Sequence, residues 1–351
     1  MTLSECINTE RKIKSAFRRS LSVNVAVLML FVIAMLLLLG YENMYMQDII
    51  LWIVDVLSPV GEALAGLFFP GDPQAAADAY RSAALSVESL LIIQMIIYIL
   101  TITVPMFCFL KTRGRKISFG FPAVPAVTPK PVLTAVFALG AGYIASLIGT
   151  LIFSFLPTSG GYDPLPDTAS GVILYFISLV ILPAIFEEWA FRGVILRSLL
   201  PYGRTFAVVF SSLVFGLMHL NPPQSLFAFV LGLVMGYAFT ATGSIWPGVF
   251  IHAVNNAVSF AAQYAMLSGD YGFPAIALLS VFMYGSMIFA VAFLVFILVR
   301  RRSSPFYTEP ARRHFPNLTA ANILSSSSLC ASFAVMLVIY LVFVFALFGA
   351  G

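Results

Sequence analysis

Charge is what this sequence lacks most. Asp, Glu, Lys and Arg make up only 10% of its 351 residues, where a soluble domain carries about 25%. Hydrophobic residues fill 60% of the positions and mean hydropathy is +0.98. That balance excludes an ordinary soluble domain and places the chain in the membrane class. The net charge of +4 is too small to serve as a nucleic-acid footprint, so no nucleic-acid partner is expected. Cysteine is equally sparse. Cys6, Cys108 and Cys330 lie far apart, match no metal or redox spacing, and read as small apolar packing residues. No His-Glu-x-x-His motif occurs, and no internal repeat is visible. The first apolar run, Leu21 to Leu39, follows basic residues but is too long for a signal peptide. Gly40-Tyr41-Glu42 offers no small-x-small cleavage site, so an uncleaved first span is expected.

What the sequence has is a series of long apolar runs. About 20 such residues cross the hydrocarbon core as a helix. Without period-two alternation the runs cannot form a barrel, and helices are the other structure that satisfies its backbone in lipid. The expected fold is an all-α, polytopic membrane helix bundle of about nine spans, eight to nine by count. They lie near 21–40, 88–110, 132–156, 171–199, 205–220, 224–241, 246–266, 275–299 and 329–350. The organisation follows as a basic tail (1–20), N-terminal membrane helices with an extracytoplasmic interfacial segment (21–131), and a membrane core (132–302). A polar linker (303–328) and an appended helix (329–351) complete it. With the N-terminus in the cytoplasm, all of the 19 basic residues except Arg81 fall inside, as the positive-inside rule requires. The segment 41–87 then lies outside, along the interface or as a short lid.

Against this background three polar clusters stand out. The fourth span reads Glu187-Glu188-Trp-Ala-Phe-Arg192. The fifth ends Phe215-Gly-Leu-Met-His219, before Asn221-Pro222-Pro223, and the seventh carries His252-Ala-Val-Asn-Asn256. Two of the three histidines are in these motifs. An ionisable residue at membrane depth costs a few kcal/mol and by default marks function or a buried partner. Glu188 and Arg192, four apart, share a helix face and can pair. Glu187 points about 100° away with no basic residue at helical spacing, which frees it to face a cavity as a general base. His252 and Asn256 present an imidazole and an amide to one side. At about 1.5 Å per residue the three clusters fall between the inner half and the middle of the bilayer, and they meet if the fifth helix tilts. The competing explanations are structural: an ion-pair network for Glu187, Glu188 and Arg192, interhelical polar contacts for His252 with Asn256, and packing for Phe215. Together they need three costly coincidences on three spans.

The ordered set Glu187-Glu188-x-x-x-Arg192, Phe215-x-x-x-His219 and His252-x-x-x-Asn256 resembles the CPBP (CAAX protease and bacteriocin-processing, or Abi) family of intramembrane proteases. The resemblance covers about 171–266. It implies an intramembrane endopeptidase acting on a membrane-associated, prenylated or hydrophobic peptide. Glu187 would activate water, His219 would help orient it, and His252 with Asn256 would stabilise the oxyanion. Glu188 and Arg192 would fix the fourth helix. No cofactor is required in that scheme; zinc held by Glu187, His219 and His252 is the alternative. The implied partners are a peptide or protein substrate and the lipid bilayer, in a bacterial plasma membrane. A non-catalytic immunity or regulatory scaffold keeping the fold is the alternative from another class. A proton-coupled transporter is a third, against which the lack of inverted repeats counts.

Overall fold

The computed structural model describes residues 3–122, 131–154, 165–267, 272–300 and 327–348. Among the described residues there is no strand. The helices are α1 (Leu3–Ala65), α2 (Pro73–Ala84), α3 (Val87–Thr112), α4 (Pro131–Ile152), α5 (Ala169–Tyr202), α6 (Arg204–Leu217), α7 (Pro222–Thr242), α8 (Trp246–Leu267), α9 (Gly272–Arg300) and α10 (Ser327–Phe348). The expected spans all fall on helices, as far as residues are described, and the protein is an all-α integral membrane bundle. Six helices are long and apolar enough to cross a membrane by themselves: part of α1 (Val23–Glu42), α3, α4, α5, α7 and α9. α6 and the apolar stretch of α10 are shorter. α8 has 22 residues, enough to span, but is less apolar because it carries His252, Asn255, Asn256 and Gln263.

The segment 41–87 is largely helical. α1 continues past a break at Tyr45 (φ −126°, ψ 20°) to Ala65, and α2 folds back on it. The Tyr80 hydroxyl donates to the Val54 carbonyl at 2.7 Å. Of the cysteines, Cys108 is exposed on α3, so it does not pack inside as expected. The side chains of Cys6 and Cys330, the linker 303–326 and most of the loop 157–170 lie outside the described residues.

Lipid gives helices no hydrophobic drive to associate, so close backbone approach at small residues does much of the packing. At Gly140 of α4 a Cβ would lie 2.0 Å from the Ser286 carbonyl of α9. A Cβ at Gly193 of α5 would lie 2.0 Å from the Gly120 carbonyl, at the end of the short 3₁₀ turn Ile117–Gly120. α5 is the centre of the molecule. Its second half is buried throughout from Trp189 to Leu196. It is also irregular, with five residues (Ile177–Ile181) and eight residues (Trp189–Leu196) wound as π-helix. Insertions of this kind are frequent at functional sites.

Candidate active site

Glu187 and Glu188 lie on α5 between the two π segments, 6% and 0% exposed. Glu188 does pair with Arg192: Nη1 donates to Oε1 at 2.6 Å. Arg192 is itself buried, donates to the Gly232 carbonyl of α7 at 3.4 Å, and stacks over the Phe215 ring of α6 at 4.4 Å. One guanidinium thus touches three helices, where i, i+4 spacing suggested only the pair with Glu188. Gly248 on α8 makes room for the pair, since a Cβ there would sit 2.3 Å from Glu188 Oε2.

His252 reaches in from α8, 4% exposed, and stands between the two carboxylates. Its Nδ1 lies 3.4 Å from Glu188 Oε1 and its Nε2 3.8 Å from Glu187 Oε2. The first distance holds the ring without meeting full hydrogen-bond geometry, because Nδ1 has no such partner. The second exceeds direct hydrogen-bond range, a separation at which polar groups are commonly bridged by water.

His219 follows the end of α6. Its Nδ1 lies 2.9 Å from the Phe215 carbonyl. A carbonyl only accepts, so the proton is on Nδ1 and Nε2 presents a lone pair. The ring packs edge-on against Phe215 at 5.1 Å, and Phe215 packs in the same way against His252 at 5.7 Å. Phe215 therefore orients both imidazoles. The chain reverses at Leu220, which takes a left-handed φ of 51°, uncommon for a branched residue. Asn221 then caps α7 through Gln224 N–H, with Pro222 at its first turn. Glu187, Arg192 and His252 are all within electrostatic reach of His219.

Asn256 lies one turn beyond His252. Its Nδ2 donates to the Leu179 carbonyl at 2.9 Å, and its Oδ1 accepts from Asn255. Pro183, four residues after Leu179, has no N–H, so that carbonyl lacks its ordinary helical donor. Asn256 supplies one. An amide carries two N–H groups, so the bond leaves the second for other work.

Sequence reasoning missed the partner of Glu187. The Tyr98 hydroxyl of α3 donates a short hydrogen bond to Glu187 Oε1, while Oε2 has no hydrogen-bond partner among the described residues. The available signal was a tyrosine midway along a span, away from the interface where tyrosines collect. The zinc alternative meets a geometric difficulty. Among the described residues no three His, Cys, Asp or Glu side chains group as a metal site would need. As placed, Glu187, His219 and His252 do not fit a metal. An apolar cleft of about 360 Å³ opens elsewhere, between α1, α2 and α3, lined by Leu57, Tyr80 and Ile92 and by none of these residues.

Comparison with known proteins points the same way. Residues 169–258 match the family described as "Type II CAAX prenyl endopeptidase Rce1-like". The chain is 29% identical over 147 residues to "Putative membrane peptidase YdiL" of Bacillus subtilis (strain 168). That match covers 41% of this chain and 57% of the relative, so the chain spans little more than half of the protein it resembles. No solved structure matches. The segment that carries Glu187, Glu188, Arg192, His219, His252 and Asn256 is thus the part of the chain that matches the Rce1-like family model, in support of a CPBP-type membrane protease.

Proposed function

We propose that this protein is an intramembrane endopeptidase that hydrolyses a peptide bond in a membrane-associated, prenylated or hydrophobic substrate, using a water molecule activated by Glu187. The carrying observation is that His252 stands buried between Glu187 and Glu188, with His219 against the same Phe215 ring and Glu187 Oε2 left without a hydrogen-bond partner among the described residues. The relatives' descriptions as a CAAX prenyl endopeptidase and a membrane peptidase agree in reaction class.

In this mechanism the attacking water donates one hydrogen to Glu187 Oε2 and the other to the lone pair on His219 Nε2. That fixes its oxygen toward the scissile carbonyl, and orientation of this kind supplies much of an enzyme's advantage. Glu187 takes the proton as the O–C bond forms. The oxyanion is met by the Nε2 side of His252 and by the second amide N–H of Asn256, donors held rigidly where water is scarce. Collapse breaks the C–N bond, and Glu187 returns its proton to the leaving amine. Glu188 and Arg192 take no part in proton transfer. They hold α5, α6 and α7 together and keep the His252 ring from turning. We place the protein in a bacterial plasma membrane with a cytoplasmic N-terminus.

The test is cleavage of a farnesylated Cys-a-a-X peptide and of a hydrophobic unprenylated peptide by purified protein. Wild type should cut at least one of them. Glu187→Gln, which keeps size but cannot take a proton, should lower the rate by about 10²–10⁴-fold. Full activity in Glu187→Gln would remove the carboxylate from the mechanism. Cleavage of neither peptide by wild type, with a Glu187/His252 double variant complementing a deletion strain normally, would favour the non-catalytic scaffold.

A further inference from the structure

Tyr98 lies outside the segment 169–258 that matches the protease family, on a helix for which the sequence suggested no role. Its hydroxyl nevertheless makes the one hydrogen bond that Glu187 Oε1 receives from a side chain among the described residues. From this geometry we infer that Tyr98 is a positioning residue for the general base. It holds one carboxylate oxygen so that the other, Oε2, faces the water and the two imidazoles. The inference rests on the protease reading given above.

A carboxylate on a helix can rotate about its last side-chain bond, and both oxygens then compete for every donor nearby. Tyr98 removes that degeneracy. A phenol donating to a charged acceptor makes a bond roughly twice as strong as a neutral pair. Here the acceptor is shielded from water, since Glu187 is only 6% exposed. Of the two oxygens, the one left open is Oε2, the oxygen 3.8 Å from His252 Nε2. The four groups that act on the reaction, Glu187, His219, His252 and Asn256, come from α5, the end of α6 and α8, and α3 contributes the clamp that selects which atom of Glu187 acts. A second buried carboxylate, Glu42 of α1, is close enough to influence the same hydroxyl, yet the hydroxyl is turned to Glu187 and Glu42 is bonded by Thr101.

The alternative, a buried phenol that merely finds a partner, predicts a change in stability and none in the chemical step. The two are separated with Tyr98→Phe in the full-length protein. Positioning predicts that kcat falls by about 10- to 100-fold while KM stays within about two-fold of wild type. Unchanged kcat in Tyr98→Phe, alongside an inactive Glu187→Gln, would overturn the inference and leave the protease reading standing. A spectroscopic arm makes the contact itself testable without turnover. The ultraviolet resonance Raman difference between wild type and Tyr98→Phe isolates the ring doublet of Tyr98, which reports whether its hydroxyl donates or accepts. A strong-donor doublet that weakens when Glu187 is changed to Gln supports the clamp, even if no peptide tried is a substrate. The same doublet with Glu187 and with Gln at 187 refutes it.

Discussion

Glu188 and Arg192 show what a buried ion pair costs a neighbouring helix. Both are at or near zero exposure, and the 2.6 Å bond between them leaves the carboxylate no second conformation that keeps its partner. Removing one member of such a pair typically costs about 3–5 kcal/mol, because the other charge stays buried. The helix facing them must therefore yield, and α8 yields with Gly248. On helix propensity alone Gly248→Ala would stabilise α8 by up to about 1 kcal/mol. The added methyl would lie 2.3 Å from Glu188 Oε2 and 3.2 Å from Cδ, and Glu188 cannot swing aside without giving up Arg192. The steric cost, about 1–3 kcal/mol, outweighs the propensity gain. Gly248→Ala should lower the melting temperature in detergent and reduce cleavage, since it also displaces the carboxylate facing His252 Nδ1. A variant that melts above wild type would mean that the two helices are less tightly opposed than this. The Glu188–Arg192 pair could be read from i, i+4 spacing. Gly248 could not, because its reason lies on another helix, and Tyr98 stayed hidden because a tyrosine in a span violates no rule strongly enough to attract notice.

α5 is irregular on both sides of Glu187 and Glu188. Leu182 N–H bonds to the Ile177 carbonyl, five residues back, so the helix changes register just before Pro183. The carbonyl of Leu179 is left to Asn256 on α8, the kind of neighbouring side chain that makes proline tolerable in a span. Asn256 braces α8 against the irregular turn, and in the proposed mechanism it also offers its other N–H to the oxyanion. The two can be told apart. Asn256→Ala should lose about 0.6–2 kcal/mol of stability, the range found for interhelical hydrogen bonds in membranes, together with most activity. Adding Pro183→Ala gives position 183 an N–H that can bond the Leu179 carbonyl, so it should recover the stability without the activity. Recovery of both in the double variant, measured by melting and by cleavage rate, would reduce Asn256 to a strut. The ordered motifs were legible in sequence because charged and imidazole side chains at membrane depth are costly and therefore few. The π segments were not. The first sits where a proline is compensated by another helix, and no local pattern records that.

At the scale of the whole molecule, helix number and order were readable because lipid leaves the backbone few alternatives to helix. The continuation of α1 to Ala65 was less so. Asp48 and Asp55 interrupt its apolar run and suggest an interfacial strip, whereas packing of α2 through Tyr80 accompanies one long, bent helix. Orientation has consequences for the substrate. Glu187 is ten residues before Arg197, about 15 Å along a helix, and Arg197 stacks on Phe119 with Arg115 on the same ring. That end of the bundle gathers cations, and in the expected topology Arg81 is the one basic residue on the opposite side. The positive-inside rule predicts a cytoplasmic cationic end, and with the proposed orientation a substrate tail anchored in the inner leaflet would meet the site from that side. Two exposed positions report it, Ser82 on α2 and Lys116 just after α3. In a background with all three cysteines changed to Ser, a membrane-impermeant maleimide should label Ser82→Cys on intact cells. It should reach Lys116→Cys only after permeabilisation. The reverse pattern would invert the bundle, place the catalytic helices' basic ends outside, and require the substrate to be presented from the extracytoplasmic leaflet, where a prenylated cytoplasmic tail does not reside.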